Sequence, residues 1–223
     1  MKEVHNMAIK VGLKFIDLWG ESMEDAVLQY EKEPIQKGQI VFYGPSNFTR
    51  WSEKWGMTPL RDVIRGKSGS PCAINRGFGS SCPEHQLYYY SRMIRPLEPK
   101  VLVYSTYDNG AAFGYSNEES WELAQRVIAY ALTDFPDIHI YLSSANPRKN
   151  MTDIDIKKRR QYNSWLKNFA ENTPGCYYLN AFDYEPLRHP ENFVEDGIHF
   201  NAEGYRIYGS LMQEALKDEL ENF

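Results

Sequence analysis

Short, unbroken runs of β-forming residues recur along this chain, with longer amphipathic stretches between them. Ile40-Val41-Phe42-Tyr43 ends at Gly44-Pro45, and Cys72-Ala73-Ile74-Asn75 is a weaker run that also leads to a glycine. Val101-Leu102-Val103-Tyr104, Ile138 to Leu142 and Cys176 to Leu179 complete the set. A strand with one wet face alternates apolar and polar residues, whereas a continuous apolar run suits a strand covered on both faces, as in a parallel sheet. Strands that alternate with helices predict a three-layer α/β/α sandwich with right-handed crossovers and about five parallel strands.

The intervening stretches have helical spacing. Ser116 is an N-cap candidate with Glu118 and Glu119 in the first turn, where the helix dipole favours carboxylates. Trp121, Ala124, Ile128, Ala131, Leu132 and Phe135 mark one face until Pro136. Asp153 to Phe169 and a last helix starting near Asn201 follow the same pattern. Ser22 to Glu33 places Ala26, Val27 and Tyr30 together before the Lys37-Gly38 break. This divides the chain into an N-terminal helical extension, residues 1–36, packed on a domain spanning 37–223.

Composition excludes several classes. At 223 residues the chain is long enough for a core without disulfide or metal staples, and 42% hydrophobic content argues against disorder. Thirty acidic against 25 basic residues give a net charge of -5, so no nucleic-acid partner is expected. No apolar run approaches the roughly 20 residues of a membrane span. The start, Met1 to Met7, has no apolar signal core, which favours a cytoplasmic protein, or a secreted one if a leader has been removed. Cys72, Cys82 and Cys176 lack metal-type spacing and read as buried free thiols, with a Cys72–Cys82 disulfide left open.

Chemistry in α/β sheets gathers at the carboxyl ends of the strands. There the sequence places Gly44-Pro45-Ser46-Asn47, then Asn75-Arg76-Gly77-Phe78-Gly79-Ser80-Ser81, then Thr106-Tyr107-Asp108-Asn109-Gly110. Asp196-Gly197-Ile198-His199 precedes the last helix. A serine hydroxyl needs a base to take its proton, and imidazole titrates in the right range. The imidazole in turn needs a partner that fixes its tautomer and balances its charge. Ser46, His199 and Asp196 fill these roles, with activity expected to rise as His199 deprotonates. A tetrahedral intermediate also needs fixed donors for its oxyanion. The N–H of Ser46, an N–H of the Gly79-Ser80 turn and the amide of Asn109 are the candidates.

In these blocks the chain resembles the SGNH hydrolases, or GDSL esterases and lipases, and most of all a bacterial branch with a Tyr-Gly-Ser-Ser-Ser serine block. The resemblance runs from about Lys37 to Met212 and is carried by Phe42 to Trp51, Ile74 to Gly79, Tyr104 to Gly114, and Asp196 to Tyr205. It implies a flavodoxin-like sandwich, Ser46 as nucleophile, His199 as base, Asp196 as orienting acid, and an oxyanion hole from Ser46, the second block and Asn109. No metal or organic cofactor is implied. Pro45 replaces the usual Asp or Ser, and Ser80 stands where the family has the oxyanion glycine, at a position a serine does not easily hold if φ is positive. The third block carries one extra residue, so Asn109 is the favoured match to the family asparagine and Asp108 the alternative.

The implied substrate is a small-molecule or carbohydrate ester, short-acyl or O-acetyl. Lysophospholipase or thioesterase chemistry, or a non-catalytic binding domain, are the alternatives. A metal hydrolase built on His85, His189 or His199 with Asp196 has no familiar ligand spacing. For substrate contacts the sequence offers Trp51, Arg76, Tyr107 and His85, beside Arg50, Trp55 and the Tyr88-Tyr89-Tyr90 run. Tyr88 to Tyr90 read equally as helix residues packed on the sheet, and Arg76 as a brace for its turn.

Overall fold

The computed structural model describes residues 20–107 and 109–223. Most of the expected N-terminal extension and the alternative residue Asp108 lie outside the described residues. Five strands, β1 (Ile40–Gly44), β2 (Ala73–Gly77), β3 (Val101–Ser105), β4 (His139–Ser143) and β5 (Cys176–Leu179), form one sheet in the order β2-β1-β3-β4-β5. Every pairing is parallel, with Tyr43 opposite both Arg76 and Tyr104. This is the flavodoxin-like order, in which the strand sequence reverses at β1 and β3 and leaves a crevice at their carboxyl ends.

The apolar runs are continuous because successive side chains enter different cores. Val41, Tyr43, Leu102, Tyr104, Ile140 and Leu142 face one cluster, while Ile40, Phe42, Val101 and Val103 face the other. Each such side chain, taken fully out of water, contributes roughly 1.5–3 kcal/mol before the entropy of ordering it. β2 begins one residue later than expected and runs on to Gly77. It is an edge strand, so the charged Arg76 is tolerated there and pairs with Glu33.

Six helices carry the fold around the site: α1 (Gly20–Glu31), α2 (Ser46–Thr49), α3 (Pro83–Met93), α4 (Asn117–Asp134), α5 (Asp153–Asn172) and α6 (Ala202–Ala215). The starts of α4 and α5 are capping boxes. Ser116 Oγ accepts from the Glu119 N–H at 3.1 Å while the Glu119 carboxylate accepts from the Ser116 N–H at 3.0 Å. Thr152 and Asp155 make the same exchange. α1, described from Gly20 on, covers the expected stretch from Ser22 and buries Met23 and Val27 in the core shared with α3, α4 and α5. α6 closes the opposite face with Tyr205, Tyr208 and Met212. All three cysteines are buried free thiols. Among the described residues, no helix is long and apolar enough to cross a membrane.

Candidate active site

The chain turns sharply from β1 into α2, and Gly44 is what permits it. A Cβ at Gly44 would sit 2.8 Å from Ser105 Cβ and 2.9 Å from its carbonyl oxygen. With no side chain there, β1 lies close against the end of β3 and Ser46 emerges as the first residue of α2. Pro45 precedes it with φ −81°, a value its ring favours, and its carbonyl accepts from the N–H groups of Phe48 and Thr49. Three side chains lock this short helix. Asn75 donates to the Phe48 carbonyl at 2.8 Å, Asn47 to Ser105 Oγ at 3.2 Å, and Tyr205 of α6 to the Asn47 carbonyl at 2.8 Å. The last of these ties the serine turn to the helix that follows His199.

The loop before α6 brings in the other two groups. Gly197 has φ +66°, which reverses the chain between Asp196 and His199. Asp196 Oδ1 then accepts the N–H groups of Ile198 at 2.8 Å and His199 at 2.9 Å, and Oδ2 lies 2.7 Å from His199 Nδ1. A carboxylate only accepts, so Nδ1 carries the proton and Nε2 is left to accept. Ser46 Oγ lies 2.8 Å from that Nε2. Burial works against the Asp196 charge, but the His199 N–H, the imidazole and the Ile198 N–H outweigh it and hold its pKa down to about 2. The arrangement is one in which an imidazole can strip an alcohol of its proton while a fixed anion balances the charge it gains.

Beside the serine, the turn after β2 contributes Gly79 and Ser80 to a cavity of about 390 Å³. Ser80 adopts φ +63°, the left-handed conformation that its Cβ disfavours and that a serine was not expected to hold easily. Asn109 lines the same cavity, and its Nδ2 donates to the Ser81 carbonyl at 2.9 Å. An amide nitrogen has two hydrogens, so this bond orients the group and leaves the second for a ligand.

The four side chains expected to touch substrate do not reach this cavity. Trp51 is buried, packed edge-on against Phe42 and tilted onto Tyr205 and Tyr208. His85 is fully buried at the start of α3, where Nδ1 accepts from the Cys82 N–H at 3.3 Å and lies 3.1 Å from Cys82 Sγ. Tyr107 packs on Tyr162 and under the Arg159 guanidinium. Arg76 pairs with Glu33 at 2.6 Å and covers the Tyr30 ring, so it braces the turn. Large rings and an edge-strand cation were better used inside the fold than at its rim. Tyr88 to Tyr90 lie on α3, with Tyr89 and Tyr90 buried. Of the aromatic residues offered by the sequence, Trp55 does line the cavity, and Arg50, Asn146, Arg148 and Ile198 join it there. Asn146 and Arg148 follow the carboxyl end of β4, so the strand-end rule pointed to them although no motif marks them.

No family model matches the chain, and no curated protein matches it. Solved structures do. A protein assigned as an acylhydrolase from Bacteroides fragilis superposes with a TM-score of 0.70 at 18% identity, over 99% of this chain and 100% of that one. A GDSL-like lipase from Bacteroides thetaiotaomicron gives 0.67 at 18% identity, over 91% and 98%. A catalytic mutant of an acetylxylan esterase from Geobacillus stearothermophilus gives 0.65 at 13% identity, over 82% and 95%. The chain shares their fold. At these identities the likeness reaches the sandwich and no further. Among the described residues, no group of three His, Cys, Asp or Glu side chains is placed to hold a metal ion.

Proposed function

We propose that this protein hydrolyses carboxylic esters with short acyl groups, carbohydrate O-acetyl esters among them, through an acyl-enzyme on Ser46. The observation that carries this reading is the unbroken line of contacts from Ser46 Oγ to His199 Nε2 at 2.8 Å and from His199 Nδ1 to Asp196 Oδ2 at 2.7 Å. His199 takes the hydroxyl proton as Oγ attacks the ester carbonyl. The oxyanion forms between the N–H of Ser46, an N–H of the Gly79-Ser80 turn and the Asn109 amide. Collapse breaks the bond to the alcohol, which leaves with the proton held by His199. Water then gives a proton to His199 as it attacks the acyl carbon, and the carboxylic acid departs as Ser46 recovers its hydrogen. Asp196 stays ionised and stabilises the imidazolium in both halves.

The size and lining of the cavity support a short acyl group on a polar alcohol. It holds about 390 Å³ and mixes Asn47, Asn146 and Arg148 with Trp55 and Phe200. A long acyl chain calls for a continuous apolar channel instead. The neighbours described as acetylxylan esterases and a lipase share the scaffold, which makes an ester a reasonable substrate to test first.

The expected result is hydrolysis of p-nitrophenyl acetate, rates that fall as the acyl chain lengthens, and covalent labelling by a fluorophosphonate. Ser46→Ala abolishes the labelling and lowers kcat by at least about 10³-fold. Equal labelling of wild type and Ser46→Ala refutes the assignment, and a preference for long acyl chains refutes the short-acyl reading.

A further inference from the structure

The catalytic carboxylate has a third partner that no member of a Ser–His–Asp set requires. Arg50 follows α2 directly, four residues after Ser46, and its Nη1 donates to Asp196 Oδ2 at 3.2 Å. This is the same oxygen that faces His199 Nδ1, while Oδ1 is occupied by two backbone N–H groups. The Arg50 guanidinium in turn lies over the exposed Trp55 ring, 4.4 Å from its centroid. A cation over an aromatic face is held there by attraction to the ring quadrupole. The indole thus restrains Arg50, Arg50 restrains the carboxylate, and the carboxylate orients the imidazole.

We propose that Arg50 is a positioning residue that lowers the basicity of His199 through Asp196, so that the site stays in its working protonation state in more acidic solution. This rests on the reading of Ser46, His199 and Asp196 given above. The physical argument is one of charge. An imidazolium beside a bare carboxylate is favoured, but a carboxylate already sharing its facing oxygen with a guanidinium offers it less. A unit charge that reaches the imidazole through one shared carboxylate oxygen, in screened and partly exposed surroundings, shifts a titration by about 0.5–1 pH unit.

Other charged and titratable groups surround the imidazole. Arg148, from the loop after β4, lines the same cavity, and Lys149 packs against Gly197. Glu195 precedes Asp196 in the loop, and Tyr205 lines the cavity from α6. All four remain in every variant below, so differences between variants isolate Arg50.

The test compares the pH dependence of kcat/KM for wild type, Arg50→Gln, Arg50→Lys and Trp55→Leu on p-nitrophenyl acetate. Arg50→Gln is expected to move the acid-side midpoint up by about 0.5–1 unit and to lower the alkaline plateau about three- to tenfold through kcat. Arg50→Lys restores the midpoint, because it keeps the charge, but not the plateau. Trp55→Leu shifts the midpoint in the same direction by less. An unmoved midpoint with a raised KM in Arg50→Gln overturns the proposal and makes Arg50 a substrate contact. A downward shift overturns it as well.

A second readout does not need turnover. The His199 ring resonances, assigned by comparison with His199→Gln, should titrate at higher pH in Arg50→Gln than in wild type. Coincident titrations overturn the proposal even if Arg50→Gln hydrolyses nothing. Absence of any Ser46-dependent hydrolysis in the wild type would instead count against the proposed function, and the ring titration would still decide the role of Arg50.

Discussion

The two halves of the candidate site are built by different means. On one side, Ser46, His199 and Asp196 are held by side-chain chemistry, with Asp196 accepting from two backbone N–H groups, an imidazole and a guanidinium. On the other, the turn after β2 is held largely by backbone, with Ser80 at φ +63°, the Phe78 N–H on the Gly44 carbonyl, the Ser81 N–H on the Phe78 carbonyl, and a side-chain hydrogen bond from Asn109 to the Ser81 carbonyl. The first half tolerates little change of residue type, because each atom has a stated proton to give or take. The second needs only an N–H pointing the right way, and any residue that reaches the conformation supplies one. This contrast explains how a serine can stand at a left-handed position that suits glycine, at a cost in strain.

The contrast breaks first at Asn109, the one member of the backbone-built half that works through a side chain. Asn109→Ala is expected to lower kcat by about 10²–10³ with a much smaller change in KM, as the role proposed for the amide, a bond to the oxyanion and not to the ground-state carbonyl, requires. The same substitution removes the bond to Ser81 and lowers stability by about 1 kcal/mol. Kinetics of the variant alongside its urea unfolding curve separate the two effects. A loss of stability with kcat intact would make Asn109 a strut for the turn and leave the oxyanion to backbone groups alone.

What the sequence made legible follows the same division. The strands were readable because burial on both faces leaves an unbroken apolar run, as in Val101 to Tyr104, whose neighbours alternate between two cores. The grouping of Ser46, Asp196 and His199 was readable because few residue types are suited to such proton exchange and each fell at a strand end or before the last helix. Which aromatic and charged side chains line the rest of the cavity was not. Trp51 and Trp55 stand four residues apart and look alike in sequence, yet one is 1% exposed in the core and the other 43% exposed at the rim. The difference lies in the fold: Tyr205 and Tyr208 of α6 meet the Trp51 ring from some 150 residues away in sequence. Arg50 shows the same limit. It stood beside the candidate substrate contacts, and the anion its cation meets is the protein's own Asp196.

A smaller effect sharpens the comparison at Ser80. Glycine at this position removes the Cβ strain of the left-handed conformation but gives the unfolded chain more freedom, so Ser80→Gly should gain between about 0 and 1 kcal/mol. Its kcat should stay within about twofold of wild type, because the N–H is unchanged. Ser80→Val, whose branched side chain resists positive φ, should lose stability by about 1 kcal/mol or more and lower kcat by about tenfold. Thermal melts and kinetics of the pair give the answer. Equal activity in Ser80→Val would show that the turn supplies no donor, and the comparison between the two halves would lose its second term.

The smallest expected effect tests the side-chain half through stability. Asp196 has its pKa depressed to about 2 in the folded protein, against an ordinary aspartate value of about 3.9 in the unfolded chain. A depressed carboxylate adds stability that is complete above the unfolded value and is lost as pH falls from about 4 through about 2. The carboxylate is 36% exposed, so screening by water keeps the contribution modest. Glu31, Asp155 and Glu203 are also held below their ordinary range by Arg92, Thr152 and Arg206, so acid lowers the melting temperature of any variant through them. The informative quantity is the difference in Tm between wild type and Asp196→Asn. It should be a few degrees above about pH 5 and shrink as pH falls from about 4 to about 2, where the wild-type carboxyl is half protonated and most of its contribution is lost. A difference that persists undiminished at pH 2 would mean that the Asp196 turn is stabilised by shape and hydrogen bonding without its charge, and the side-chain half of the site would then be built by the same backbone means as the other.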